Sequence, residues 1–278
     1  MSFIIVQKFT FGFMLSVLTL IYLGSLGSGI PVGVVDLTHP LGPKALTWPG
    51  LPKFKLTILS KAFTSEGYWY AANSFQTNEH IGTHIDAPVH YYKEGISVHD
   101  IPIEKLIGPG VIINVKKQAK ENPDYRVQIS DLKAWEGRHG AIPDGAVVLM
   151  NSGWSDKYPD KVLTFGSESA DDHNTLHFPG WHEDTVHWLI KNRNVNIVGV
   201  DTPSTDYGQS TTYSVHIQLG KASICGLEYV ANLDSIPEAG TVISAALIKI
   251  VDGSGGPVRV FATLPVRSSM ETESCTLD

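Results

Sequence analysis

The run HIGTHIDAPVH, residues 80–90, concentrates three histidines and one aspartate in eleven residues. A helix would place His80 and His84 on one face, but Pro88 disfavours helical backbone at Ala87, and Gly82 with Thr83 weakens the turn. A loop or strand end is the favoured alternative, and on an extended segment His84 and Asp86 share a face. Neutral imidazoles with one carboxylate suit Zn²⁺ or Mn²⁺ better than Mg²⁺ or Ca²⁺, which prefer oxygen ligands. Against this stands the plainer reading of three solvent-facing or core histidines, weakened by their density among small residues. The spacing matches neither the two-histidine helix of zinc proteases nor a Cys/His finger. Cys225 and Cys275 are too few for a cysteine-rich zinc site or a disulfide framework.

Around this run lies a chain of 278 residues, 42% hydrophobic and 18% charged, an ordinary composition for a globular protein with a full core. Its net charge of −7 and lack of a Lys/Arg cluster argue against nucleic acid as the main partner. Acidic substrates stay open, because local charge decides them. At the amino end Lys8 precedes an uncharged stretch, 9–35, with an apolar block at 11–23 and small residues at 24–29. That order reads as a signal peptide over 1–29, with a signal anchor as its competitor and the only expected membrane contact. The expected organisation is therefore a leader over 1–29, one domain over 30–267 and a disordered polar tail over 268–278. The mature protein is expected to be secreted or to face the secretory lumen. Cys225, in an apolar run, is expected to be a buried thiol.

Val/Ile-rich runs punctuated by Gly, Pro and Asp predict strands at 33–37, 53–59, 110–115, 146–150, 195–200, 241–250 and 258–264. Helices are predicted over 130–136, with Ser130 as the cap, and over 182–191. The balance is mixed α/β with more strand than helix. Two residues of the carboxyl half could complete a metal site. His216 follows a Ser/Thr/Tyr-rich loop, and Glu228 closes an apolar segment where an ionised carboxylate is costly to bury without a cation or donor. A solvent-facing glutamate at a strand end is the alternative.

With these residues assembled, the chain resembles the cyclase-like metal hydrolases, the family of bacterial kynurenine formamidase and isatin hydrolase. His80, Gly82, Thr83, His84, Asp86, Pro88 and His90 meet its HxGTHxDxPxH signature. Further similar segments are Asp36 to Leu41, Trp48 to Gly50, Asn151 to Trp154, His177 to Gly180, Gly199 to Asp206, His216 with Glu228, and Gly256 to Ala262. The resemblance implies a swivelling β/β/α domain: a twisted mixed β core with flanking helices, assembled as a homodimer or homotetramer. It implies that His80, His84 and Asp86 ligate one ion and Asp86, His216 and Glu228 a second, Zn²⁺ or Mn²⁺. It makes His90 the acid/base residue and Trp48 a substrate contact. The chain departs from the pattern at Glu79 and at Asn151, positions expected to neighbour the site.

The chemistry fits these residue types. A metal lowers the pKa of bound water towards ~7 and polarises a carbonyl, while a histidine with pKa near ~6.5 can protonate a leaving nitrogen. The expected reaction is hydrolysis of an aryl formamide, N-formyl-L-kynurenine to L-kynurenine and formate. Isatin-type lactam opening is the alternative, and a secreted non-catalytic binding protein of the same fold is the reading from another class. Substrate specificity is expected from loops around Trp48, Trp69 and Tyr91. His39, Asp201 and Ser204 read as turn and scaffold residues, and His173, His177, His182 and His187 as surface or packing histidines.

Overall fold

The computed structural model describes residues 33–265, Asp171 excepted; the expected leader, the polar tail and Cys275 lie outside the described residues. Strands β1 (Val34–Asp36), β2 (Lys55–Phe63), β3 (Trp69–Gln76), β4 (His84–Asp86), β5 (Ile107–Asn114) and β6 (Arg126–Val127) precede β7 (Ala146–Asn151) and β8 (Gly180–Trp181). Then come β9 (Val195–Val200), β10 (Cys225–Glu228), β11 (Val242–Leu247) and β12 (Gly255–Thr263). The helices are α1 (Lys116–Glu121), α2 (Ile129–His139), α3 (Lys161–Phe165), α4 (Glu183–Asn192) and α5 (Ser214–Lys221).

Eight strands pair in the order β1-β12-β11-β5-β7-β9-β10-β4, and β4 pairs in turn with β12, so the sheet closes into a barrel-like core. The strands β5, β7, β9 and β10 run parallel, whereas β4, β11 and β12 join antiparallel. Closure explains the unbroken Val/Ile/Leu runs, because each parallel strand is buried on both faces. Ile85, Ile112, Val147, Leu149, Ile197, Leu227, Ile243 and Val260 fill the interior. On the outer face Val111, Ile113, Val148, Met150, Val198 and Val200 receive Leu132 and Trp135 of α2, Val186 and Leu189 of α4, and Val215 and Leu219 of α5. Each such aliphatic side chain contributes roughly 1.5–3 kcal/mol when fully buried.

All seven predicted strands and both predicted helices are present within a few residues. The expected Ser130 cap is displaced: α2 begins at Ile129, and Asp131 accepts the backbone N–H of Gln128 at 2.8 Å. Sequence reading did not find α5, whose approach is rich in Ser, Thr and Tyr. It also missed β3, the partner of β2 in a separate two-stranded sheet. That hairpin is exposed along almost its whole length.

Candidate metal centre

Strand β4 is only three residues long, and its register assigns every side chain a job. Ile85 lies beside Leu227 and both point into the barrel. The side chains on either side of Ile85 must point outward, so His84 and Asp86 share the outer face. His84 is level with Glu228 of β10 and Asp86 with Gly226; on the other side Asp86 is level with Gly255 of β12. The carboxylate thus stands between two glycines. A Cβ on Gly226 would lie 3.2 Å from Asp86 Oδ2, and one on Gly255 would lie 2.5 Å from His80 Cε1 and 2.6 Å from the Ile85 carbonyl oxygen. Both approaches require the missing side chain. Thr83 fixes the strand by donating its hydroxyl to the Tyr229 carbonyl at 2.6 Å.

The first cluster is His80, His84 and Asp86; the second is Asp86, His216 and Glu228. His80 Nδ1 lies 2.6 Å from Asp86 Oδ1, and His84 Nε2 lies 3.3 Å from Asp86 Oδ1 and 3.4 Å from Glu228 Oε2. His216 Nε2 lies 3.3 Å from Asp86 Oδ2 and 3.2 Å from Glu228 Oε1. Its position on the first turn of α5 is set by Asp206, which accepts the backbone N–H groups of Val215 and His216 and holds His216 Nδ1 at 2.6 Å. Glu228 Oε1 accepts the Thr205 N–H at 2.8 Å. Thr205 and Asp206 thus position the distant pair. The sequence alone gives Asp206 no role: it lies ten residues before His216, ahead of the Ser/Thr/Tyr-rich loop, and carries no local signal of its partner.

Ligand chemistry fits a divalent cation. His84 donates Nδ1–H to the Gly82 carbonyl at 2.8 Å, and with His216 Nδ1 engaged by Asp206 both rings turn Nε2 inward. His84, Asp86, His216 and Glu228 are all buried, which rejects the solvent-facing alternative for Glu228. Asp86 Oδ2 is buried and receives no hydrogen bond, a cost of about 1–3 kcal/mol unless something else meets it. Burial opposes the charge on Asp86, but His90, His80 and His216 outweigh it and hold the carboxyl well below the ordinary range. Burial likewise opposes protonation of His216, yet Asp206, Asp86 and Glu228 raise its pKa. The centre is a well of negative potential lined by nitrogen and oxygen donors, the setting for a cation.

Above the clusters opens a cavity of about 110 Å³ lined by Trp48, Leu51, His90, Tyr91, Ser204 and Tyr213 together with the ligands. His90 ends a 3₁₀ turn, Pro88–His90, and its ring stacks on His80 at 3.8 Å. Burial depresses its pKa to about 4, aided by the neighbouring histidines and opposed by Asp86. This corrects the expected value near 6.5 and makes the imidazole neutral at pH 7. Trp48 stands edge-on to Phe165 and Phe178 at 6.3 and 6.4 Å, rooted in a small aromatic core. Trp69 is elsewhere, on the exposed hairpin, and lines no part of the cavity. Asn151 also lies apart, bonding Asp234 Oδ1 at 2.8 Å, whereas Glu79 adjoins His80 as expected.

Of the residues expected to be scaffold, Ser204 instead lines the cavity. Asp201 accepts N–H bonds from Ser152 and Trp154, and burial pushes its pKa up to about 6. His39 stacks on Tyr158 at 4.0 Å, His173 packs edge-on against Trp48 at 5.2 Å, and His182 caps α4 by accepting the Asp184 N–H. Cys225 is a buried free thiol whose pKa burial raises to about 12.

A barrel-like α/β core with a His/Asp/Glu cluster on its outer wall defines a class of metal-site hydrolases. The chain belongs to the Cyclase family, whose sequence model ("Putative cyclase") matches residues 35–207. It is 31% identical to isatin hydrolase of Roseibium aggregatum, over 84% of this chain and 92% of that protein. It is 27% identical to kynurenine formamidase of Salinibacter ruber, over 82% and 96% respectively. Among solved structures, isatin hydrolase A from Ralstonia solanacearum superposes with a TM-score of 0.77 at 34% identity, covering 94% of this chain and all of that one. The chain is thus a cyclase-family hydrolase close to both kinds of relative.

Proposed function

We propose that this chain hydrolyses a non-peptide C–N bond in a small aromatic lactam or formamide. One Zn²⁺ or Mn²⁺ would be held by His80, His84 and Asp86, and a second by Asp86, His216 and Glu228. The observation that carries the reading is Asp86, common to both clusters at the floor of a cavity walled by Trp48, Leu51 and Tyr91. A divalent metal bound there supplies Lewis acidity towards the substrate carbonyl and a lowered pKa for water. The remaining work belongs to the chain. Trp48 and Tyr91 offer flat apolar surface to an aromatic ring. His90, neutral and stacked on His80, accepts a proton as water adds to the carbonyl carbon, then returns it to the nitrogen as the C–N bond breaks.

The lactam is the preferred substrate class, an order opposite to the one the sequence suggested. Supporting it, the isatin hydrolases match at 30–34% identity with TM-scores of 0.77, against 27% for the formamidase of S. ruber. The test is a panel of isatin, other lactams and aryl formamides on protein of measured metal content. Turnover of isatin above the formamides is expected; inactivity of the metal-loaded protein on every C–N substrate would overturn the reading. His90→Ala is expected to keep its metal and lose about 10²–10⁴-fold in kcat; full activity would remove His90 from the mechanism.

Self-association is part of this proposal. One face of the β2–β3 hairpin carries Leu56, Ile58, Phe63, Trp69 and Phe75, all 49–72% exposed. A lone two-stranded ribbon is marginal in water, and these side chains offer several hundred Å² of apolar surface, on the order of one partner's share of a standard interface. A second copy of the chain is the proposed occupant. Light scattering should give a dimer or tetramer that Phe63→Ser with Trp69→Ser dissociates; a monomeric wild-type protein would reject it.

A further inference from the structure

Each ligand histidine has one ring nitrogen anchored, but not the same one. His84 and His216 are held through Nδ1, by the Gly82 carbonyl and by Asp206. His80 is held through Nε2, which lies 3.0 Å from Ser254 Oγ. Ser254 in turn donates its hydroxyl to Glu79 Oε2 at 2.6 Å, and the same carboxylate oxygen accepts the Ser254 backbone N–H at 3.0 Å. The Ser254 carbonyl accepts the Ala87 N–H at 2.9 Å, tying this residue to the chain just past Asp86.

The proton count along this chain of contacts is decisive. A serine hydroxyl has one hydrogen, and the charged, shorter contact to Glu79 takes it. Towards His80, Ser254 Oγ is therefore an acceptor, so Nε2 of the ring carries the hydrogen. With Nε2 carrying that hydrogen, Nδ1 is the atom left to bind a cation, and it lies 2.6 Å from Asp86 Oδ1. We infer that Glu79 and Ser254 are positioning residues that fix the ring orientation and tautomer of His80 and so make Nδ1 its metal-binding atom. Gly255, which follows Ser254, leaves the space the His80 ring occupies.

The inference rests on His80 being a ligand, and the experiment separates the two ideas. Full-length protein stripped by a chelator is titrated with Mn²⁺ and with Zn²⁺ against a chromophoric competitor, using wild type, His80→Ala, Ser254→Ala, Ser254→Thr and Glu79→Gln. Loss of an orienting partner typically weakens metal binding about 10–100-fold. That loss is expected for Ser254→Ala and Glu79→Gln, with Ser254→Thr restoring wild-type affinity because it keeps the hydroxyl. Long-range ¹H–¹⁵N spectra of the Zn²⁺-loaded protein should show His80 with its hydrogen on Nε2 in wild type and a mixture in Ser254→Ala. Unchanged affinity in Ser254→Ala and Glu79→Gln while His80→Ala weakens binding would overturn the relay alone. Unchanged affinity in His80→Ala would overturn the ligand reading itself. A loss that threonine does not rescue would assign the effect to backbone packing and equally overturn the relay.

Discussion

The two halves of the metal centre are built on opposite principles. His80, His84 and Asp86 come from seven consecutive residues; alternation along β4 aims His84 and Asp86, with Gly226 and Gly255 opening space on either side, and His80, just before the strand, is held by Ser254. His216 and Glu228 come from a helix and a different strand; Asp206 aims His216 by accepting its hydrogen bonds, and Thr205 aims Glu228 by donating one. A strand-built half is fixed by the same pairing that closes the barrel, so disturbing it disturbs the fold. A half held by side-chain bonds can be loosened one bond at a time. Asp86 alone belongs to both.

Replacing Asp86 should therefore have the largest effect, because it removes a donor from each half. Asp86→Asn is expected to weaken metal binding well beyond the ~100-fold ceiling for losing an orienting partner, and to abolish turnover. Metal at a hundredfold excess over Kd should stabilise the wild type by roughly 2.7 kcal/mol. At roughly 2–4 °C per kcal/mol for a domain of this size, that is a Tm rise of about 5–11 °C. The variant should show no such rise in a thermal scan. A normal metal-dependent rise would mean the halves do not share Asp86.

Next in size is Glu228→Gln, which removes a donor from the helix-side cluster and leaves the three ligands of the other in place. Elemental analysis should fall from two metals per chain towards one, with the remaining ion on His80, His84 and Asp86. Loss of both ions together would show that the halves are one cooperative unit, and the distinction drawn from their construction would fail. Asp206→Asn is a milder blow to the same half, expected to cost about 10–100-fold in affinity for the second ion only. Metal titration with two resolved binding phases checks it: the tighter phase should stay and the weaker one shift.

How far the sequence spoke follows the same division. The strand-built half was legible because its residues lie in one run with a fixed period, and the barrel strands because double burial leaves continuous Val/Ile/Leu segments. His216 and Glu228 were found by chemistry and resemblance, but Asp206 was not, since nothing local distinguishes an orienting aspartate from a turn residue. Trp69 was misjudged for a related reason: an aromatic side chain reads the same whether it lines a cavity or an exposed ribbon. The His90 pKa was out of reach, because it depends on burial among three other histidines that only the folded chain assembles.

The smallest expected effect tests the strand-built half at its gentlest point. At Gly226 a methyl group would meet Asp86 Oδ2 at 3.2 Å, a side-chain atom that can yield, whereas at Gly255 it would meet the Ile85 carbonyl oxygen at 2.6 Å, backbone that cannot. Gly226→Ala should fold and shift the carboxylate by a few tenths of an ångström. Because Asp86 serves both halves, both binding phases should weaken together, each by less than about tenfold, or 1.4 kcal/mol. If only one phase moves, the two oxygens of Asp86 act independently. The carboxylate would then be two separate ligands on one residue rather than the rigid hinge that β4 makes of it.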